Sequence, residues 1–241
     1  MRYGLALATA LLGCLVFCNS ALARDERADI ALVLAVDVSG SVDAKRYVLQ
    51  MEGIAAALED AEVVHAILGG PHQSMEVALV EWSTKSNIAI GWTILSSPAD
   101  ITQFAAKVRA LPRNGDQFTC MSAALRQIAD KLLALMPVKA DRVVIDVSGD
   151  GHDNCNPAKP VETVSAELAD NGAVVNGLPI LEGDEATTLE AWYTKHVIAG
   201  AGAFVLPAAG FNDIANAMRH KFVTEISAAE PAAIDLNPSG Q

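Results

Sequence analysis

An open, doubly wound α/β sheet, mostly parallel with one antiparallel edge strand and helices on both faces, is the fold class this sequence predicts. Three observations predict it. Residues 30–36 are an unbroken apolar run and 143–147 a dense one interrupted only by Asp146, both closed by polar, glycine-bearing loops, as strands buried on both faces of a parallel sheet require. Segments with helical apolar spacing separate most of the strand-like runs. The exception is the pair 75–82 and 87–94, joined by a polar turn too short to hold a crossover helix, which makes an antiparallel hairpin.

Taken in order, the first strand is Ile30–Val36, ending at Asp37-Val38-Ser39-Gly40-Ser41. Over Asp43–Leu58, Tyr47, Met51, Ile54, Ala55 and Leu58 recur at helical spacing, and Asp43 stands where the positive helix start favours a carboxylate. Trp82 and Trp92 belong to the hairpin, as core or edge residues. Helical periodicity returns over 98–111 and 119–135. Arg142–Val147 is a dense strand, Pro160–Asp170 a helix closed by Asn171-Gly172, and Ala173–Leu181 a further strand. Helices over Glu185–Val197 and Asn212–Ile226 flank a short strand at Ala203–Leu206. Residues 24–227 thus form one domain, and Ala228–Gln241, rich in Ala, Pro and Gly, reads as a flexible tail.

Composition narrows the function classes. Of 241 residues 51% are apolar and 19% charged, the balance of a chain that folds around a core. A net charge of −12 argues against a nucleic-acid partner, which needs a basic surface. At the amino terminus Arg2 precedes an apolar run from Leu5 to Phe17 and the small-residue site Ala21-Leu22-Ala23, the layout of a secretory signal peptide over residues 1–23. The expected destination is the periplasm or the outside of the cell, with no transmembrane segment in the mature chain. Lipid attachment at Cys14 is the alternative, although the apolar run continues past it. Cleavage after Ala23 removes Cys14 and Cys18, so the mature chain keeps Cys120 and Cys155. Two cysteines in an oxidising compartment pair or remain as buried thiols.

The chemistry concentrates in three loops. Asp37, Ser39 and Ser41 follow the first buried strand, at the carboxyl edge where open α/β sheets bind ligands. They are hard oxygen donors at alternate positions, and they suit either a hard cation or a helix cap. Val143–Gly151 repeats the arrangement, a buried strand followed by Ser148-Gly149-Asp150-Gly151, and Arg113–Thr119 is a polar loop leading into a helix. The five histidines show no metal-ligand spacing, so His152 reads as a loop residue, and Asp116 as a surface charge. Asp146 interrupts an apolar strand; Arg142 or a neighbouring loop is its expected partner.

Together these loops resemble the von Willebrand factor type A (VWA) domain, a Rossmann-like fold, and its metal-ion-dependent adhesion site, written D-x-S-x-S, then Thr, then Asp-Gly. The match runs through Asp37, Ser39 and Ser41, then Thr119 with Ser122 as substitute, then Asp150, preferred over Asp153 because Gly151 follows it. Glu81-Trp82, Ile145–Gly151 and Asn176-Gly177-Leu178 are similar to a secreted proteobacterial group of such domains. The resemblance implies that Ser39, Ser41 and Thr119 coordinate Mg²⁺, with Mn²⁺ or Ca²⁺ as alternatives, while Asp37 and Asp150 hold it partly through water. It also implies a protein partner that offers an Asp or Glu carboxylate to the open metal position, and no catalysis. If the Thr119 and Asp150 loops meet at the metal, Cys120 and Cys155 are brought together as a disulfide. The competing readings are a metal-dependent hydrolase or phosphotransfer enzyme and a scaffold with a structural ion. Against the enzyme, no G-x-S-x-G elbow and no Gly-rich phosphate loop with Lys is present.

Overall fold

The computed structural model describes residues 27–155, 158 and 160–227. In chain order the elements are β1 (Arg27–Asp37), α1 (Ala44–Leu58), α2 (Ala61–Gly69), β2 (Met75–Trp82), β3 (Ser86–Leu95), α3 (Pro98–Arg109), α4 (Met121–Gln127), β4 (Lys139–Gly149), α5 (Val161–Asp170), β5 (Ala173–Pro179), α6 (Ala186–His196) and α7 (Ile214–Ser227). The five strands form one sheet in the order β3-β2-β1-β4-β5. All neighbours run parallel except β2 and β3, the antiparallel hairpin at the edge.

Alternation along β1 divides the core. Ile30, Leu32, Leu34 and Val36 face one side, against α1, α2, α3 and α7. Val33 and Ala35 face the other, against α4, α5 and α6. A strand sandwiched this way must be apolar at every position, which is why β1 reads as a continuous run. Helix starts follow local chemistry: Asp43 caps α1 by accepting from the backbone N–H groups of Lys45 and Arg46, and Ser97 caps α3 ahead of Pro98.

Four features depart from the sequence reading. Helix α2 occupies a stretch for which the sequence predicts no element, separated from α1 by two residues, with Asp60 as its cap. The helix expected over 119–135 is α-helical only to Gln127, then becomes a π-helical turn at Ile128–Leu132 and a 3₁₀ turn at Leu133–Leu135. The strand expected at Ala203–Leu206 is reduced to an isolated bridge between Val205 and Gly177. Asp146 pairs neither with Arg142 nor with a loop, but with Lys221 of α7. The signal peptide and the tail expected at 228–241 lie outside the described residues.

The strand order reverses between β1 and β4, because β1 connects outward to β2 on one side while β4 and β5 extend the other. A crevice opens at the carboxyl ends of strands on either side of such a switch point. Asp37 ends β1 and Asp150 follows β4, so both acids flank that crevice.

Candidate metal centre

The first loop is held from below and from the side. Asp37 is fully buried; its Oδ1 accepts the Ser39 N–H at 2.7 Å, and Gln50 of α1 donates to its backbone carbonyl at 2.9 Å. Arg113 reaches across to donate to the carbonyls of Val38, Ser39 and Val42 at 2.7–3.0 Å. The guanidinium thus fixes two carbonyls of the D-x-S-x-S turn and that of Val42 just beyond it. Gly115 lets the Arg113 loop approach this closely, since a Cβ there would fall 1.7 Å from the Val38 carbonyl oxygen.

Ser39 and Ser41 lie with their hydroxyls 3.3 Å apart, and Ser41 donates to Asp150 Oδ1 at 2.5 Å. The Thr119 backbone N–H donates to Asn154 Oδ1 at 2.9 Å and the Asn154 N–H returns to the Thr119 carbonyl at 3.0 Å, which ties the Thr119 loop to the segment after Asp150. The Cys120–Cys155 disulfide closes the same pair of loops, with the two Cα atoms 5.0 Å apart. A cleft of about 460 Å³ results, with Ser39, Ser41, Thr119 and Asp150 in its wall and Asp37 beneath. Of the substitutes, Ser122 donates its N–H to Asp153 Oδ1, and both line a separate pocket.

Two carboxylates share this floor, and among the described residues neither forms an ion pair. Burial, and then the charge of Asp150, push the Asp37 carboxyl up to about 7. Burial also raises Asp150, opposed by the Ser41 hydroxyl and the nearby Arg46 guanidinium. Asp37 Oδ2 has no hydrogen-bond partner among the described residues, nor does the Tyr193 hydroxyl, which is held well above its ordinary range by burial and then by Asp37. Gly149 keeps this floor open: a Cβ there would lie 2.8 Å from Asp37 Oδ2 and 2.9 Å from the Tyr193 oxygen.

The donor set fits a hard divalent ion. Every donor is oxygen, two are buried acids that gain from a cation, and one acid oxygen is unpartnered. The outer wall was not anticipated from the sequence. Glu182 pairs with Arg46 at 3.0 Å, and Glu185 accepts the His152 N–H at 2.6 Å. His152 is half-buried against the Trp192 ring at 4.9 Å, not a free loop residue. Asp116 is exposed, as expected.

A second acid–histidine cluster sits at the opposite end of the sheet, where Asp29, His72 and Asp141 bring one ligand-type atom each within 4.8 Å of one another. Its atoms are already engaged. Asp29 accepts the His72 and Ser74 N–H groups, while Asp141 takes His72 Nε2 at 3.0 Å and pairs with Arg27. It reads as a clamp on the loop before β2, and its separation along the chain hid it from sequence reasoning.

The fold is that of a VWA-like domain. The chain belongs to the family described as "Protein of unknown function (DUF1194)", which matches residues 27–230. Among curated proteins none is similar enough to count as a relative. Solved structures agree in fold. Proximal thread matrix protein 1 from the mussel byssus, with a zinc-occupied MIDAS motif, superposes with a TM-score of 0.61 at 16% identity, covering 84% of this chain and 47% of that one. A von Willebrand factor type A protein from Catenulispora acidiphila gives 0.57 at 17%, covering 83% and 43%. The pilus adhesin SpaC from Lactobacillus rhamnosus GG gives 0.57 at 14%, covering 83% and 30%. The chain thus spans less than half the length of each.

Proposed function

We propose that this protein is a secreted, metal-dependent interaction module. In this reading Ser39, Ser41 and Thr119 give hydroxyl oxygens to Mg²⁺, with Mn²⁺ or Ca²⁺ as alternatives, while Asp37 and Asp150 neutralise it, partly through water. The observation that carries the proposal is the crevice itself, where three hydroxyls and two buried acids converge and the acids have no ion-pair partner among the described residues. Bound there, the ion supplies an electrophilic position that a partner's Asp or Glu carboxylate completes. Arg113 and Gln50 keep the first loop in place, and the disulfide keeps the second and third loops together. Neighbours that include a zinc-occupied MIDAS and a pilus adhesin support binding over catalysis. The leader-like residues 1–23 and the disulfide support export, and among the described residues no helix is long and apolar enough to cross a membrane.

Isothermal titration tests the site. Mg²⁺ is expected to bind the wild type and not Asp37→Ala, and a carboxylate-bearing partner to be captured from periplasmic extract with Mg²⁺ but not with chelator. Equal Mg²⁺ binding by both forms would remove the proposed site. Turnover of a substrate that disappears in Asp37→Ala would replace the binding module with an enzyme.

A further inference from the structure

The α1/α7 side of the sheet holds a charged cluster that the metal crevice does not use. Asp146 lies in the middle of β4, level with Leu34 on one neighbouring strand and Asn176 on the other. Lys221 and Glu225 lie one turn apart on α7. The side chains of all three are fully buried. Lys221 Nζ is 3.3 Å from Asp146 Oδ1 and 3.0 Å from Glu225 Oε1, and it faces the Phe204 ring at 4.4 Å. Neither short contact is aligned as a hydrogen bond: Nζ and both Asp146 oxygens have no such partner among the described residues. Glu225 is anchored instead by Asn176, whose Nδ2 donates to Oε1 at 2.7 Å, while Asn176 Oδ1 accepts the Phe204 N–H at 3.0 Å.

An amine and two carboxyl groups are therefore held in contact with water excluded. Two carboxylates against one ammonium leave a net negative charge in a low-dielectric interior, so a proton is favoured on one of the acids. Burial moves Asp146 in that direction, up to about 7. The neutral acid beside the amine is an electrophile beside a nucleophile, already placed by the fold.

We propose that Lys221 and Asp146 become joined by an isopeptide bond once the chain has folded, with Glu225 as the proton carrier. The Lys221 ammonium first gives a proton to the Glu225 carboxylate, which frees the Nζ lone pair. That lone pair attacks Asp146 Cγ and the N–C bond forms. Glu225 gives its proton to the hydroxyl leaving Cγ and takes one from Nζ, the C–O bond breaks, and one water departs. Glu225 ends as a neutral acid, and no oxidant or co-reactant is consumed. The product replaces two buried charges with a neutral amide and ties α7 covalently to the strand that leads to Asp150. It stands independently of the metal reading.

The test is peptide mapping of the folded, full-length protein after reduction and trypsin. The peptide containing Asp146 is expected joined to the one containing Lys221, at their summed mass less one water, with cleavage between Lys221 and Phe222 lost. Tandem fragmentation must place the link at those two side chains. Recovery of both peptides unlinked from folded protein would overturn the proposal, as would a water loss located elsewhere, for example at Asp150-Gly151. Because the wild type alone decides this, a variant that fails to fold does not obscure it. Glu225→Gln keeps the side chain's size and is expected to yield unlinked peptides; linkage as complete as in wild type would remove Glu225 from the step.

Discussion

Strand β4 carries one buried acid in its middle and leads to another just past its end, and the two sites are neutralised in opposite ways. Asp146 and its companion Glu225 meet a cation from their own chain, Lys221. Asp37 and Asp150 meet hydroxyls and backbone N–H groups, but no lysine or arginine pairs with them among the described residues. The cost of burying a carboxylate is of the same kind at both. The fold thus supplies a counter-charge to the inner pair and only neutral donors to the outer one among the described residues. Glu76 of β2 shows a third solution. Fully buried, it is pushed by burial up to about 7, opposed only by the Val138 backbone N–H, and so holds a proton well above the ordinary carboxylate range.

The sharpest way to break this comparison is to remove the internal cation. Lys221→Met leaves Asp146 and Glu225 with neither the Lys221 ammonium nor the amide formed from it between them, and truncating one side of a buried charge cluster costs roughly 3–5 kcal/mol. Denaturant unfolding at pH 8 should show that loss as a lowered midpoint. A loss below about 1 kcal/mol would mean that the lysine is not what balances these acids.

The contrast was only partly visible in the sequence. Parallel strands announce themselves because burial on both faces permits nothing but apolar residues, so β1 and β4 were legible. The crevice loops were legible for the opposite reason: Asp37, Ser39 and Ser41 break that pattern abruptly. Asp146 was visible as an anomaly, but its partner was not, because the contact with Lys221 exists only after the fold closes. A signal was present nonetheless. Lys221 and Glu225 fall on the same stripe of α7 as Met218, Phe222 and Ile226, where a core-facing helix is expected to be apolar, so the pair does not belong on a solvent face. The π-helical turn after Gln127 was illegible because Ile128 and Leu132 fit a continuous α-helix equally well. Helix α2 was missed because its nine residues offer less than three turns of periodicity.

Glu76 supplies the next largest effect and the clearest sign. Its folded value near 7 lies above the ordinary carboxylate value of 4.5, so the folded state binds the proton more tightly. Between those values the native chain holds more protons than the unfolded one, and stability falls as pH rises; below about 4.5 the difference vanishes. Glu76→Gln should therefore gain up to roughly 3 kcal/mol over wild type at pH 8 and almost nothing at pH 4. Paired denaturant curves at the two pH values would show it. An equal effect at both would mean that Glu76 is not carrying its proton into the core.

Adding the missing counter-charge to the outer pair should stabilise the fold by a comparable but smaller amount. At a Mg²⁺ concentration 100-fold above its dissociation constant the expected gain is about 2.7 kcal/mol. A thermal shift should vanish in Asp150→Asn and survive in Asp141→Asn, whose carboxyl serves the Asp29–His72 clamp. Loss of the shift in Asp141→Asn would move the ion to the wrong end of the sheet.

The smallest effect has the most diagnostic sign. In chelator at pH 8, Asp37→Asn removes one of two buried acids that have no cation, and so relieves a like-charge contact instead of breaking a pair. The new side chain keeps an oxygen for the Ser39 N–H. The metal-free variant should therefore match or exceed wild type by about 1 kcal/mol, and the order should reverse once Mg²⁺ is added. Lys221→Met can show no such reversal, because no ion from solution enters the dry layer between β4 and α7. A chelator-treated Asp37→Asn that is strongly destabilised would show that Asp37 serves the fold directly. The division between a self-neutralised inner site and an outer site completed by a guest ion would then fail at its outer half.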